Sequence, residues 1–257
     1  VRGPAIVMRT GFVLIMIQMF KHKLFRLSII VIFLGMGTSL VADGSLLASF
    51  ISRPIVGKMY VASCNGITIE LKRGSITDLE HHYDALVNAA NSELSPEPGL
   101  CAEFFNKAGS AELSREIYRL KREGKIITPL SWGVAVVTAA HNLHAYHIIH
   151  AVAPDFRSSK LAGKINVLRD TYLVIFGLAK VLCLRTIAVP LLSTNAYRGD
   201  RSLEELARET MASIVEFAKK TGPKGSVKKI VLVAHTLTEM LVYAKEFERA
   251  FGSCVRQ

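Results

Sequence analysis

The sequence predicts an α/β protein, a three-layer α/β/α sandwich around a mixed, mostly parallel central sheet. Three observations point there. Short apolar segments alternate with longer amphipathic ones in the order β-β-α-β-α-β-β-α-β-α-β-α. The segments "TIAVPLL" (186–192) and "KKIVLVA" (228–234) are apolar without alternation, which suits strands covered on both faces. The stretches between such segments repeat their apolar residues at helical spacing, and strand–helix–strand connections build parallel sheets with helices on both faces.

Each element has a local reason. "MYVAS" and "ITIEL" are strand-like runs joined across Cys64-Asn65-Gly66, and Asn-Gly between two such runs is a hairpin signal. "GSITDLEHH" offers Ser75 and Thr77 as caps for a short helix. "DALVNAA" is an apolar strand. From Leu100 to Glu123 a helical pattern runs through Phe104, Phe105, Ala108, Leu113, Ile117 and Leu120, with Gly109 as a break. "WGVAVVTAA" and "AYHIIHAVA" are two further strands, the second stopped by Pro154. Residues 164–183 carry Leu168, Tyr172, Ile175, Phe176, Ala179 and Leu182 at helical spacing, and 201–220 carry Leu203, Leu206, Met211, Ile214, Val215 and Ala218. A last helix is expected over 238–251. In such sheets ligands bind beyond the carboxyl ends of the strands, so the loops 88–100, 191–200 and the segment after Ala234 are the ones to watch.

The chain has 257 residues, half of them apolar, enough for a sizeable core. Its net charge is +11, of which residues 1–57 contribute +5 and the rest +6. A small excess spread over so many residues is a solvated surface, and nucleic acid is not expected as a partner. Lys21, Lys23 and Arg26 precede the uncharged run "LSIIVIFLGMGTSLVA", Leu27 to Ala42. Its length falls between a secretory apolar region and a membrane span, and small residues at Gly37, Ser39 and Ala42 favour a signal peptide over an uncleaved anchor. Residues 1–50 are read as this targeting segment, with membrane contact through 11–42, and Met19, Met8 and Met16 are alternative starts. Secretion or membrane anchoring follows from it, and cytoplasmic residence if the start lies elsewhere. Cys64, Cys101, Cys183 and Cys254 form no CxxC pair; no metal is expected, and buried thiols are favoured over one or two disulfides. His141, His144 and His147 have no acidic neighbour at ligand spacing.

The strand end "DALVNAAN" resembles the signature of macro domains, which bind ADP-ribose. Four stretches agree in order: "ELKRGSITDL" resembles that family's G-D-I-T segment, and "GLCAEFFNKAG" its glycine-rich helix start. "TAAHNLHAYHIIHAVAPDF" is similar to its paired strands and "IAVPLLSTNAYRGD" to its second loop. The match covers 58–251 and implies a monomeric macro domain whose partner is ADP-ribose or ADP-ribosylated protein, with no cofactor.

The resemblance implies the site residues. Ser75 and Ile76 fall at the adenine end, His235 where an aromatic often stacks, and Asn88 and Asn91 at the strand end. Asn91 is expected to face the distal ribose and is the candidate for any catalytic role, while Asn88 is more structural. Gly99, Leu100 and Cys101 open a helix whose N–H groups and dipole suit an anion. Ser193, Thr194, Asn195, Ala196 and Tyr197 offer hydroxyls and amides to phosphate, with Tyr197 by the distal ribose. His150, in an apolar strand, is read as a hydrogen-bonded core residue.

Departures from the family pattern fall on these contacts. Ser75 stands where the family has an aspartate that accepts from the adenine amine, and a neutral acceptor there would lose about tenfold in affinity. "SPEPG" replaces a glycine-rich loop; Pro96 and Pro98 have no N–H, and Glu97 brings negative charge towards a diphosphate. Cys101 stands where hydrolytic members carry an aspartate, and Glu103 would reach the site only if the helix start were rotated. Three readings stay open: an ADP-ribose-binding module, an ADP-ribosyl ester hydrolase (de-ADP-ribosylation or deacetylation of O-acetyl-ADP-ribose), and a macro fold serving protein interaction.

Overall fold

The computed structural model describes residues 59–252. The targeting segment expected within 1–50 lies outside the described residues, as does Cys254. Among the described residues no helix is long and apolar enough to cross a membrane.

The strands are β1 (Tyr60–Cys64), β2 (Ile67–Arg73), β3 (Tyr83–Ala90), β4 (Ala135–Ala139), β5 (Ala145–Val152), β6 (Thr186–Pro190) and β7 (Lys229–Ala234). The helices are α1 (Leu100–Ala108), α2 (Ser110–Arg122), α3 (Asn166–Val181), α4 (Leu203–Thr221) and α5 (Leu237–Phe251). The strands form one sheet in the order β1-β2-β7-β6-β3-β5-β4. The five inner strands are parallel, and β1 and β4 are antiparallel edges. The sheet is therefore mixed and mostly parallel, as the alternation of elements requires.

Both faces are covered. Ile69, Leu71, Val87, Ile187 and Leu232 pack on the face that meets α3, α4 and α5, through Tyr172, Ile214 and Phe247 among others. Leu86, Ile148, Ala188 and Val231 point to the other face, under Phe104 and Phe105 of α1 and Leu113 of α2. The period-2 pleat sorts neighbouring apolar residues to opposite cores, which is why these strands read as unbroken apolar runs. Asp84 fixes the register of β3 on β6: its carboxylate accepts from the N–H groups of Arg185 and Thr186, and its own N–H donates to Thr186 Oγ1 at 3.0 Å.

The hairpin turn forms as expected, with Asn65 at φ 48° and Gly66 at φ 81°, both in the left-handed region its tight loop demands. Elsewhere the boundaries move. The helix expected from "GSITDLEHH" is a single 3-10 turn, Ile76–Asp78, because the chain leaves helical geometry at Leu79. The helical run from Leu100 is two helices, divided at Gly109 with φ 96°. A Cβ at Gly109 would meet the movable ends of the Glu112 and Asn142 side chains, so the break is set by the positive φ of the backbone. The expectation of buried thiols needs correction: Cys101 is buried, Cys64 is half-buried, and Cys183 is exposed beyond the end of α3. His141 has an acidic partner after all, Glu116 of α2, 2.8 Å away and distant in sequence.

Candidate functional site

All five parallel strands deliver their carboxyl ends to one edge of the sheet. The loops after β2, β7, β6, β3 and β5 lie there side by side, spanning about 19 Å at the usual strand spacing. Between them opens a cleft of about 630 Å³, lined by residues from every one of these loops. This is where an open α/β sheet offers a ligand site, and the volume suits a small molecule.

One end of the cleft is apolar, formed by Ile76 and Val233, with the exposed His235 at its edge. Ser75 caps the 3-10 turn by accepting from the Thr77 N–H. The Ser75 hydroxyl also donates to Glu103 Oε1 at 2.7 Å, and the Thr77 hydroxyl donates to the same oxygen. Glu103, one turn into α1, thus faces the cleft. The neutral corner expected from Ser75 is in fact occupied by a carboxylate delivered from the facing helix.

The middle is formed by the start of α1 and the loop after β6. No hydrogen bond within the described residues reaches the N–H groups of Gly99, Leu100 and Cys101, and the α1 dipole adds to their pull on an anion. The N–H groups of Ser193, Thr194, Asn195, Ala196 and Tyr197 are likewise without a partner among the described residues. Ser193, at φ 59°, bends this run into the concave form that anions favour. The hydroxyls expected to meet phosphate are engaged elsewhere: Ser193 donates to the Pro154 carbonyl at 2.7 Å, and Thr194 to the Glu239 carboxylate, with the Leu191 carbonyl also within reach at 3.1 Å. The available donors are backbone N–H groups. Three carboxylates and no lysine or arginine line the cleft, so an anion there depends on these backbone groups.

Glu239, which sequence reasoning missed, fastens this loop. It is buried at 3 % exposure in the first turn of α5. Oε1 accepts from Thr194 and, at 3.5 Å, from Asn195; Oε2 accepts from the N–H groups of His235 at 3.0 Å and Thr236 at 2.8 Å. The signal was present: Thr236 and Glu239 have the spacing of a capping box, and both halves of that box form.

At the far end stand Asn91, Cys101 and Tyr197. Asn91, expected to face the ligand, lines the cleft but largely ties its own loop: Oδ1 accepts from the N–H groups of Glu93 at 3.0 Å and Ser95 at 3.1 Å, and Nδ2 donates to the Ser95 carbonyl at 2.7 Å. One N–H of its amide is left for a ligand. Asn88 is fully buried and does not line the cleft. Its Nδ2 contacts Cys101 Sγ at 3.6 Å and His150 Nδ1 at 3.2 Å, and its Oδ1 is buried without a partner. His150 continues the chain to Thr138 through Nε2 at 2.9 Å. Since the Thr138 hydroxyl donates to the Ala139 carbonyl, Nε2 carries the proton and Nδ1 accepts from Asn88. Burial pulls the His150 pKa down to about 4, so the ring is a neutral connector. Tyr197 is half-buried with the Arg157 guanidinium 5.3 Å from its ring, and burial followed by the nearby Glu97 and Asp155 charges raises its pKa.

A parallel sheet with this cleft at its carboxyl edge, a helix start and a concave loop of free N–H groups define a class of anion-binding α/β modules. The family model for the macro domain matches residues 87–222, and the chain belongs to the macro domain family. It is 33 % identical to a macro domain-containing protein of Caldanaerobacter subterraneus over 70 % of this chain and 95 % of that protein. It is 30 % identical to the ADP-ribose glycohydrolase MACROD1 of Mus musculus over 71 % of this chain and 52 % of that one. An O-acetyl-ADP-ribose deacetylase of Escherichia fergusonii is 34 % identical over 57 % of this chain and 80 % of that enzyme. Among solved structures, an Oceanobacillus iheyensis macrodomain with ADP shares the fold at TM-score 0.66 and 23 % identity, covering 74 % of this chain and 95 % of that one. A Trypanosoma brucei macrodomain in complex with ADP-ribose superposes at TM-score 0.58 and 26 % identity, over 69 % of this chain and 68 % of that one.

Proposed function

We propose that this macro domain binds ADP-ribose, free or attached to protein, in the cleft at the carboxyl edge of its sheet. The observation that carries the reading is the pairing of the α1 start with the free N–H groups of Ser193 to Tyr197, two sets of anion donors in one cleft. The diphosphate lies between them, the base towards Ile76 and Val233, and the distal ribose towards Asn91 and Tyr197. The T. brucei macrodomain, with its ADP-ribose, supports this choice of ligand. Calorimetric titration of ADP-ribose into the full chain is expected to give saturable heat; none at millimolar ligand refutes the reading.

The second reading is hydrolysis of an ADP-ribosyl ester, supported by the glycohydrolase and deacetylase among the relatives. The polar side chain at the start of α1 is here the Cys101 thiol, which donates to the Ser95 carbonyl at 3.3 Å. A water would take its orientation from Asn91 and the bound phosphate. Release of ADP-ribose from an aspartate- or glutamate-modified protein tests it, and its absence under saturating conditions leaves binding as the function. Export through Leu27–Ala42 is a separate proposal, supported by the basic residues before that apolar run. Its test is the N-terminus of chain recovered outside the cytoplasm, and unprocessed chain found solely in the cytoplasm overturns it.

A further inference from the structure

The apolar end of the cleft has one strong acceptor without a partner. Glu103 receives the Ser75 and Thr77 hydroxyls on Oε1, and nothing among the described residues bonds to Oε2. The side chain is held by two hydrogen bonds on one oxygen, which leaves the other oriented and open. Lys107 interacts with the Glu103 charge but is paired with Asp78 at 2.7 Å and makes no hydrogen bond to Glu103.

The other two carboxylates of the cleft do not compete for this role. Glu239 has donors on both oxygens and is buried. Glu97 is exposed on the first loop, its charge felt by Tyr197 at the opposite end. A flat heterocycle between Ile76 and Val233 therefore meets one carboxylate with an open oxygen in this wall, a group that accepts and does not donate.

We propose that Glu103 is a specificity-determining residue: its free Oε2 accepts a hydrogen bond from the exocyclic amine of an aminopurine, so the cleft selects an adenine-type base over an oxopurine. The inference rests on the ADP-ribose reading for the ligand's orientation. A purine carbonyl at the same place would set a lone pair against a carboxylate, and two facing acceptors left without a donor are disfavoured more strongly than a hydrogen bond is favoured.

The test compares ADP-ribose with its hypoxanthine counterpart, in which an oxygen replaces the amine, by calorimetry on the full chain. The parent is expected to favour ADP-ribose by about tenfold. Glu103→Gln is expected to weaken ADP-ribose by about tenfold and bring the ratio near one, because a carboxamide can donate to the purine carbonyl. Thr77→Val keeps the carboxylate but removes one hydroxyl that orients it, and is expected to narrow the ratio by about threefold. Thermal unfolding of each variant shows whether the fold is intact. A ratio unchanged by Glu103→Gln overturns the proposal, as does a parent that binds both ligands equally; in both cases the ADP-ribose reading survives. A parent that binds neither ligand overturns both.

Discussion

The loop after β6 and the loop after β3 line the same cleft, yet the first is fastened through a buried carboxylate and the second through an amide on its own backbone and contacts to carbonyls at its outer side. The β6 loop is anchored by Glu239, by Ser193 on the Pro154 carbonyl, and by the Phe156 N–H on the Tyr197 carbonyl at 2.9 Å. The β3 loop is closed by the Asn91 amide and met from outside by the Leu130 N–H on the Ser92 carbonyl at 2.9 Å and Lys121 on the Glu93 carbonyl at 2.7 Å, while Pro96, Glu97, Pro98 and Gly99 are exposed. Its deep tie is the Cys101 thiol on Ser95, and beneath it lies the Asn88–His150–Thr138 chain. A run of free N–H groups must keep its shape without ligand, so it belongs on the anchored side.

The largest test of this contrast is Glu239→Ala. It leaves the His235 and Thr236 N–H groups without their acceptor and cuts the tie from Thr194 to α5, and is expected to cost about 3 kcal/mol in chemical denaturation. A loss below about 1 kcal/mol would show that the β6 loop holds itself. Acid probes the base of the β3 loop. His150 titrates near 4 when folded against an ordinary 6.5, so the unfolded chain takes up the proton first. Its contribution, up to about 3 kcal/mol, is present above pH 6.5 and lost as pH falls towards 4. His150→Gln should flatten that part of a stability-against-pH curve.

Gly199→Ala ranks next. A Cβ there would lie 2.6 Å from the Phe156 carbonyl oxygen, at φ 57°, and a loss of about 2 kcal/mol is expected in thermal unfolding. Asn91→Ala releases the β3 loop from its own tie. The expected cost in stability is about 1 kcal/mol, with a several-fold weaker titration of ADP-ribose. If stability fell as far as for Glu239→Ala, the two loops would not differ in anchoring. Glu97→Gln is the smallest change: removing an exposed charge from the rim is expected to tighten ADP-ribose about twofold, an effect that fades with salt.

The fold was legible where local rules decide: Asn65-Gly66 closes a hairpin, Gly109 breaks a helix, and unbroken apolar runs become inner strands. The cleft's membership followed from motif order, since residues at strand ends share one edge. What could not be read was the direction of individual polar groups. Asn88 and Asn91 look equivalent as amides, and the strand end sends one into the core and turns the other onto its loop. Glu239 is visible as a helix cap, but its reach back to Thr194 depends on β6 and β7 being neighbours. Glu103 faces Ser75 because α1 docks beside the 3-10 turn, which no spacing within either segment reveals.

Cys101, which lines the cleft beside Asn91 and Tyr197, and Cys183, exposed at φ 55° beyond α3, give the domain a reporter of occupancy and its control. A thiol reagent meets Cys101 from the cleft and Cys183 from solvent. A ligand bridging α1 and the β6 loop should therefore slow labelling at Cys101 and leave Cys183 unaltered, with peptide mapping keeping the half-buried Cys64 apart from both.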